Sequence, residues 1–146
     1  MAFGVSWCDE MREHNLKRIE RELRIDLPAK YRDFMLAYPF SRYSWAGDLA
    51  MPNDADLLLD LNREARESHS GSSLGDVFVI GSDGGSTDYF IRLTDIFCGV
   101  QAYNEATHQV TTMASTFDDW LSQLAIQNQA HAQEKSYGKK WWEFWK

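Results

Sequence analysis

The chain has 146 residues, 44% hydrophobic and 25% charged, the make-up of one soluble globular domain. A chain of that length buries enough surface to need neither disulfides nor a structural metal. Fifteen Lys and Arg stand against 22 Asp and Glu, a net charge of −7. Phosphate backbones attract basic surfaces, so this balance speaks against nucleic acid as a partner and for a basic protein.

In chain order, Met1 to Trp7 shows neither a charged leader nor a long apolar run. No stretch approaches the roughly 20 apolar residues that span a bilayer, so a cytoplasmic protein is expected, with no membrane partner. Cys8 and Cys98 form no CxxC pair and read as buried, reduced thiols. Ser6-Trp7-Cys8-Asp9 matches the S-x-x-D capping box. A helix should follow with Leu16, Ile19 and Leu23 inward and a solvated face from Arg12 to Arg21.

Pro28 suits the first turn of a second helix. Tyr31, Phe34, Met35 and Tyr38 make its apolar stripe, and Pro39 stops it just after Tyr38. Phe40 to Met51 is ambiguous, with Tyr43, Trp45 and Leu49 suggesting a short strand broken near Gly47. Asn53 or Asp54 caps a third helix with Leu57, Leu58, Leu61 and Ala65 inward, and Ser68 to Ser73 reads as a loop.

The second half is rich in strands. Val77–Ile80 and Tyr89–Leu93 flank a turn at Ser82–Thr87, where Gly84 and Gly85 are expected to supply positive φ. Gly99–Tyr103 and Gln109–Met113 form a second hairpin. Ser115 or Thr116 caps a last helix striped by Phe117, Trp120, Leu121 and Leu124. Strands joined by hairpins imply an α+β fold: a single domain with a mainly antiparallel β-sheet flanked by helices. We expect the domain to span 1–136, with 137–146 an aromatic, basic tail. The tail holds three Lys and one Glu, leaving 12 basic against 21 acidic side chains on the body, a charge of −9.

Four of these segments, taken in order, resemble the SUKH superfamily. Ile25-Asp26-Leu27-Pro28-Ala29-Lys30-Tyr31-Arg32-Asp33-Phe34-Met35 is similar to its LP-x-x-Y-x-x-F-hydrophobic signature, and Leu58 to Glu64 to its middle helix. Val79-Ile80-Gly81-Ser82-Asp83-Gly84-Gly85 resembles its glycine-bearing hairpin, and Ala114 to Leu121 the entry to its last helix. Pro39-Phe40-Ser41-Arg42 departs from the glycine pair many members carry after the second helix. Tyr103-Asn104-Glu105 is a reduced form of their acidic-aromatic cluster. Known members include the yeast cell-wall-assembly regulator group and bacterial immunity proteins that bind and silence toxins. The resemblance therefore implies an α+β binding domain without catalysis, in a polymorphic toxin system or a regulatory scaffold.

No residue pattern argues for an enzyme. His14, His69, His108 and His131 show no ligand-like spacing, and Glu10 with His14 reads as an exposed polar pair. Asp83-Gly84-Gly85 lacks the Lys-Ser/Thr of a phosphate loop, and Asp83 with Asp88 misses the EF-hand spacing. No nucleophile elbow is present. The sequence thus implies no catalytic residue, metal or cofactor.

The expected partner-binding residues are Tyr43, Trp45, Asp48, Asp54, Asp83, Asp88 and Glu105 in loops, with Trp141 and Trp142 in the tail. Three readings of Tyr137 to Lys146 stand side by side: cover for a groove on its own domain, a partner or homodimer contact, or a short interfacial membrane anchor. The expected partner is a cognate protein toxin, basic and plausibly active on nucleic acid; the alternative is a host protein bound by a cell-wall-regulator-type scaffold.

Overall fold

The computed structural model describes residues 12–40, 44–68 and 76–144, with side chains described along the last helix as far as His131. The expected capping box at Ser6–Asp9, Tyr43 and most of the 68–73 loop lie outside the described residues. Helix α1 (Glu13–Leu23) starts with the Asn15 side chain accepting the Arg12 N–H at 3.0 Å, and buries Leu16, Ile19 and Leu23 as expected. Helix α2 is Ala29–Leu36, and Pro28 sits just before it, as its N-cap.

Helix α2 ends two residues before the expected stop at Tyr38, with Ala37 as C-cap. The physical reason is tertiary: Tyr38 leaves helical geometry to donate its hydroxyl hydrogen to the buried Met51 carbonyl. The stripe itself holds, since Tyr31, Met35 and Tyr38 are buried and Phe34 packs against the core.

The segment expected to hold a broken strand forms instead a π-helical turn, Ala46–Ala50. It is held from outside. Asn128 accepts the Ala46 N–H at 2.9 Å, Ser44 accepts that of Gly47, and Trp45 stacks on His131 with centroids 4.7 Å apart. Its small residues let strand β1 approach: a Cβ at Gly81 would fall 2.0 Å from the Ala50 carbonyl oxygen. Only glycine fits there.

Helix α3 is Ala55–Ser68, and Asp54 caps it by accepting the Asp56 and Leu57 N–H groups. Its inward face differs from the expected stripe. Ala55, Leu58, Leu59 and Asn62 are buried, Leu61 and Ala65 are half-buried, and Leu57 is exposed. Asn62 turns the helix. Its amide donates to the Val79 carbonyl at 3.0 Å and accepts the Val79 N–H at 2.7 Å, so this polar side chain must face the sheet.

Strands β1 (Val77–Ser82), β2 (Thr87–Arg92), β3 (Val100–Asn104) and β4 (Gln109–Ala114) form one antiparallel sheet in that order. Phe78 and Ile80, two residues apart, both enter the core, and Ile80 is the extra residue of a bulge between Val79 and Gly81. Of the two glycines in the first hairpin turn only Gly84 has positive φ, 87°. Thr116 caps helix α4 (Phe117–Phe144), which buries Phe117, Trp120 and Leu124 and runs on through position 137.

One face of the sheet, with Phe78, Tyr89, Ile91, Val100 and Ala102, packs on the helices. Tyr31 joins the layers through edge-on contacts with Phe78 (5.4 Å) and Phe117 (6.2 Å), each worth roughly 0.5–1.5 kcal/mol beyond area burial. The opposite face carries Val79, Asp88, Phe90, Gln101, Tyr103, Val110 and Thr112. The architecture is α+β, an antiparallel sheet flanked by helices.

Candidate binding surface

The two hairpin turns lie at the same end of the sheet because β1–β2 and β3–β4 are both tight antiparallel pairs. They touch through backbone: the Glu105 N–H donates to the Ser86 carbonyl at 2.8 Å. Local hydrogen bonds shape each tip. Asp83 accepts the Gly85 and Thr87 N–H groups, and Asn104 accepts those of Ala106 and Thr107. His108 closes the second turn in the left-handed region (φ 58°) and shares a 2.9 Å hydrogen bond between its Nδ1 and the Tyr103 hydroxyl.

Three of the expected binding residues thus come together. Asp83 and Glu105 are exposed at the tips, and half-buried Asp88 stands between them on β2. The Asp88 carboxyl lies within the electrostatic reach of the Glu105 side chain. Its burial comes first and the negative charges of Glu105, Glu64 and Asp83 next in pushing its pKa up to about 6. Among the described residues no ion pair reaches Asp83, Asp88, Glu105 or Glu64. Asp48 is exposed on the π-helical turn, one residue before Leu49, whose side chain lies against Gly84.

The remaining expected residues sit elsewhere. Asp54 is occupied in capping α3, and Trp45 is half-buried against His131. Trp141 and Trp142 fall within the span of α4. Tyr43 lies outside the described residues.

Other residues of this surface were not singled out from sequence. Tyr103, His108 and Val110 flank the acidic tips, and the charge of Glu64 on α3 acts on Asp88. Period-2 alternation could have flagged Tyr103 and Val110, since both fall on the face opposite Ala102. At the far end of the sheet Ile96 and Phe97 stand 80% and 59% exposed. Nothing local marks them, because an apolar pair in a turn reads as core.

Other chemistry on the chain is quiet. Burial, with Asp95 next, pushes the Cys98 thiol up to about 11, so it holds its proton at neutral pH and offers no thiolate. Among the described residues no three His, Cys, Asp or Glu side chains are placed to hold a metal ion, and no helix is long and apolar enough to cross a membrane. A family model, SUKH_5, described as SMI1-KNR4 cell-wall, matches residues 5–126. A search of the curated proteins finds no match.

Proposed function

The chain belongs to the SUKH family, and from that membership we propose that it is a non-enzymatic immunity protein, cytoplasmic, which binds and neutralises a cognate toxin. The observation that carries this reading is the acidic end of the sheet. Asp83, Asp88 and Glu105 gather there, and among the described residues no ion pair neutralises them. Such a patch lowers its free energy by meeting a basic surface, and it attracts that surface over a distance. A toxin that acts on nucleic acid is itself basic, so a nuclease or a nucleobase deaminase is the toxin class that fits. Neutralisation then follows from occupying the basic surface the toxin needs for its substrate.

The test is co-expression with candidate toxins of the native host. Rescue of growth, with a complex recovered on purification, supports the reading. Failure to rescue, with no complex formed, overturns it. Steering adds a kinetic signature, because the Debye length falls from about 30 Å at 0.01 M salt to about 8 Å at 0.15 M. The association rate should drop steeply over that range, and a flat profile would remove the electrostatic part of the proposal.

A second reading, a regulatory scaffold binding a host protein, is favoured by the description of the matching model, which is the cell-wall group. Recovery of one stoichiometric host protein, and of no toxin, from the native cell would select it.

A further inference from the structure

The two edges of the sheet are finished differently. The β1 edge is closed: Asn62 takes both backbone groups of Val79, and the π-helical turn lies against Gly81. Among the described residues the β4 edge is open. Gln109, Val110, Thr111 and Thr112 are all exposed, and the Gln123 amide reaches only the Met113 carbonyl beyond them, at 2.8 Å. Free edges are ordinarily blunted by Lys, Pro, an inward charge or a bulge. Gln109 to Thr116 contains no charged residue and no proline. The irregularity in this pair leaves Met113 as an extra residue of β4, between Thr112 opposite Gln101 and Ala114 opposite Val100, so the bulge sits at the end of the strand and Gln109 to Thr112 pairs with β3 in regular register. What is left ahead of that bulge is a short, neutral row of backbone donors and acceptors.

We infer that β4 is a dimerisation strand, along which a second copy of this chain adds its own β4, antiparallel and two-fold, to give a continuous eight-stranded sheet. Charge permits this occupant at the β4 edge. Each copy carries −7, so two copies repel over most approaches, whereas the uncharged β4 edge sets no acid against an acid. The strand is also self-complementary. A two-fold axis normal to the sheet must pass through a residue to keep side chains on their own face. Through Val110 it pairs Val110 with its copy; through Thr111 it pairs Val110 with Thr112 and Thr111 with itself. Either register sets β-branched residues side by side and covers Val110, which is 43% exposed. Four residues of edge make a small contact, below the roughly 1,200 Å² of a stable interface, so the dimer is weak and reversible.

The full chain is tested by sedimentation velocity from about 1 to 300 µM, spanning a dissociation constant on the order of 10–100 µM. A reversible monomer–dimer equilibrium is expected. Amide exchange at Val110–Thr112 should slow as concentration rises. The double variant V110E/T112E places carboxylates opposite one another in either register, so it should weaken the dimer at least about tenfold. Its melting temperature in dilute solution should match the parent. A parent that stays monomeric at 300 µM overturns the inference and leaves the edge to a strand of some other protein. A dimer that persists in the variant also overturns it, as does one lost on deleting 137–146 while the β4 amides never gain protection. Should the variant fail to fold, the exchange of the parent's β4 amides decides alone.

Discussion

The helical flank and the hairpin end of this molecule handle polar groups in opposite ways. Along the flank several charges meet their complements. Arg18 bridges Glu22 and Asp56 at 2.8 Å each, Arg63 joins Glu22, and Arg32 joins Glu13 and, at 2.7 Å, Glu20. The other oxygen of Glu20 accepts the Leu27 N–H at 2.8 Å, so one carboxylate ties α1 to the entry of α2. At the hairpin end, Asp83, Asp88 and Glu105 face one another, and Asp88 is held above the usual carboxylate range. Matched charges stabilise the fold and leave little field outside it. Unmatched ones raise the energy of the free protein and are relieved when a basic surface docks. The side with the poorer internal electrostatics is therefore the side we propose for a partner.

Substitutions on the two sides should accordingly have opposite signs. The largest effect belongs to Asn62→Leu, which keeps the branched shape and strands the buried Val79 N–H and carbonyl. We expect a loss of about 3 kcal/mol, read as a fall of roughly 10 °C in thermal melting. A loss below about 1 kcal/mol would mean that water seals the β1 edge instead. Next comes Arg32→Met, which leaves Glu13 and Glu20 without their cation. Unfolding in urea should show a cost of about 1–2 kcal/mol, since this pair is partly shielded from solvent. An unchanged midpoint would reduce the flank to a solvated surface and erase the contrast.

Asp88→Asn should go the other way. The folded pKa of Asp88 is about 6, above the roughly 3.9 of an unfolded chain. The native state therefore holds more protons between about pH 4 and 6, and the stability linked to this group falls as pH rises through that window. Removing the charge should stabilise the protein at pH 7 by about 1 kcal/mol, after discounting for solvent at this half-buried site. That is roughly 3 °C in melting temperature, and the difference should close at pH 4, where both proteins are neutral at position 88. Destabilisation at pH 7 would instead show that ionised Asp88 has a cationic partner. The smallest stability effect, within about 0.5 kcal/mol, belongs to Asp83→Asn with Glu105→Gln, because both sit exposed at the tips. Their readout is kinetic: association with a basic partner should slow at low salt and converge with the parent at high salt. Equal rates at low salt would move the docking surface away from this end.

What could be read in the sequence was what neighbouring residues dictate. The α1 stripe of Leu16, Ile19 and Leu23 follows from a 3.6-residue period, and the Thr116 cap from hydroxyl chemistry at a helix start. Both hairpins follow from alternation around turn residues, and Asp83, Asp88 and Glu105 were legible as loop and strand-end acids. Trp45 and Asp54 carried the same marks, yet one packs on His131 and the other caps α3, because composition does not say which loop residues already have an internal partner.

Tertiary contact decided the rest. Tyr38 left its helix for the Met51 carbonyl, Ala46–Ala50 became a π-helical turn between α4 and Gly81, and Asn62 rotated α3 to reach Val79. The convergence of the acidic tips depends on strand register, which sets Glu105 beside Ser86 from 19 positions away. By itself the sequence determined the identity and order of the elements, since propensity, period and capping are local energies. Only the folded structure determined which polar groups are satisfied and which are left over, since a hydrogen bond or ion pair between distant residues exists only once the sheet and helices have docked.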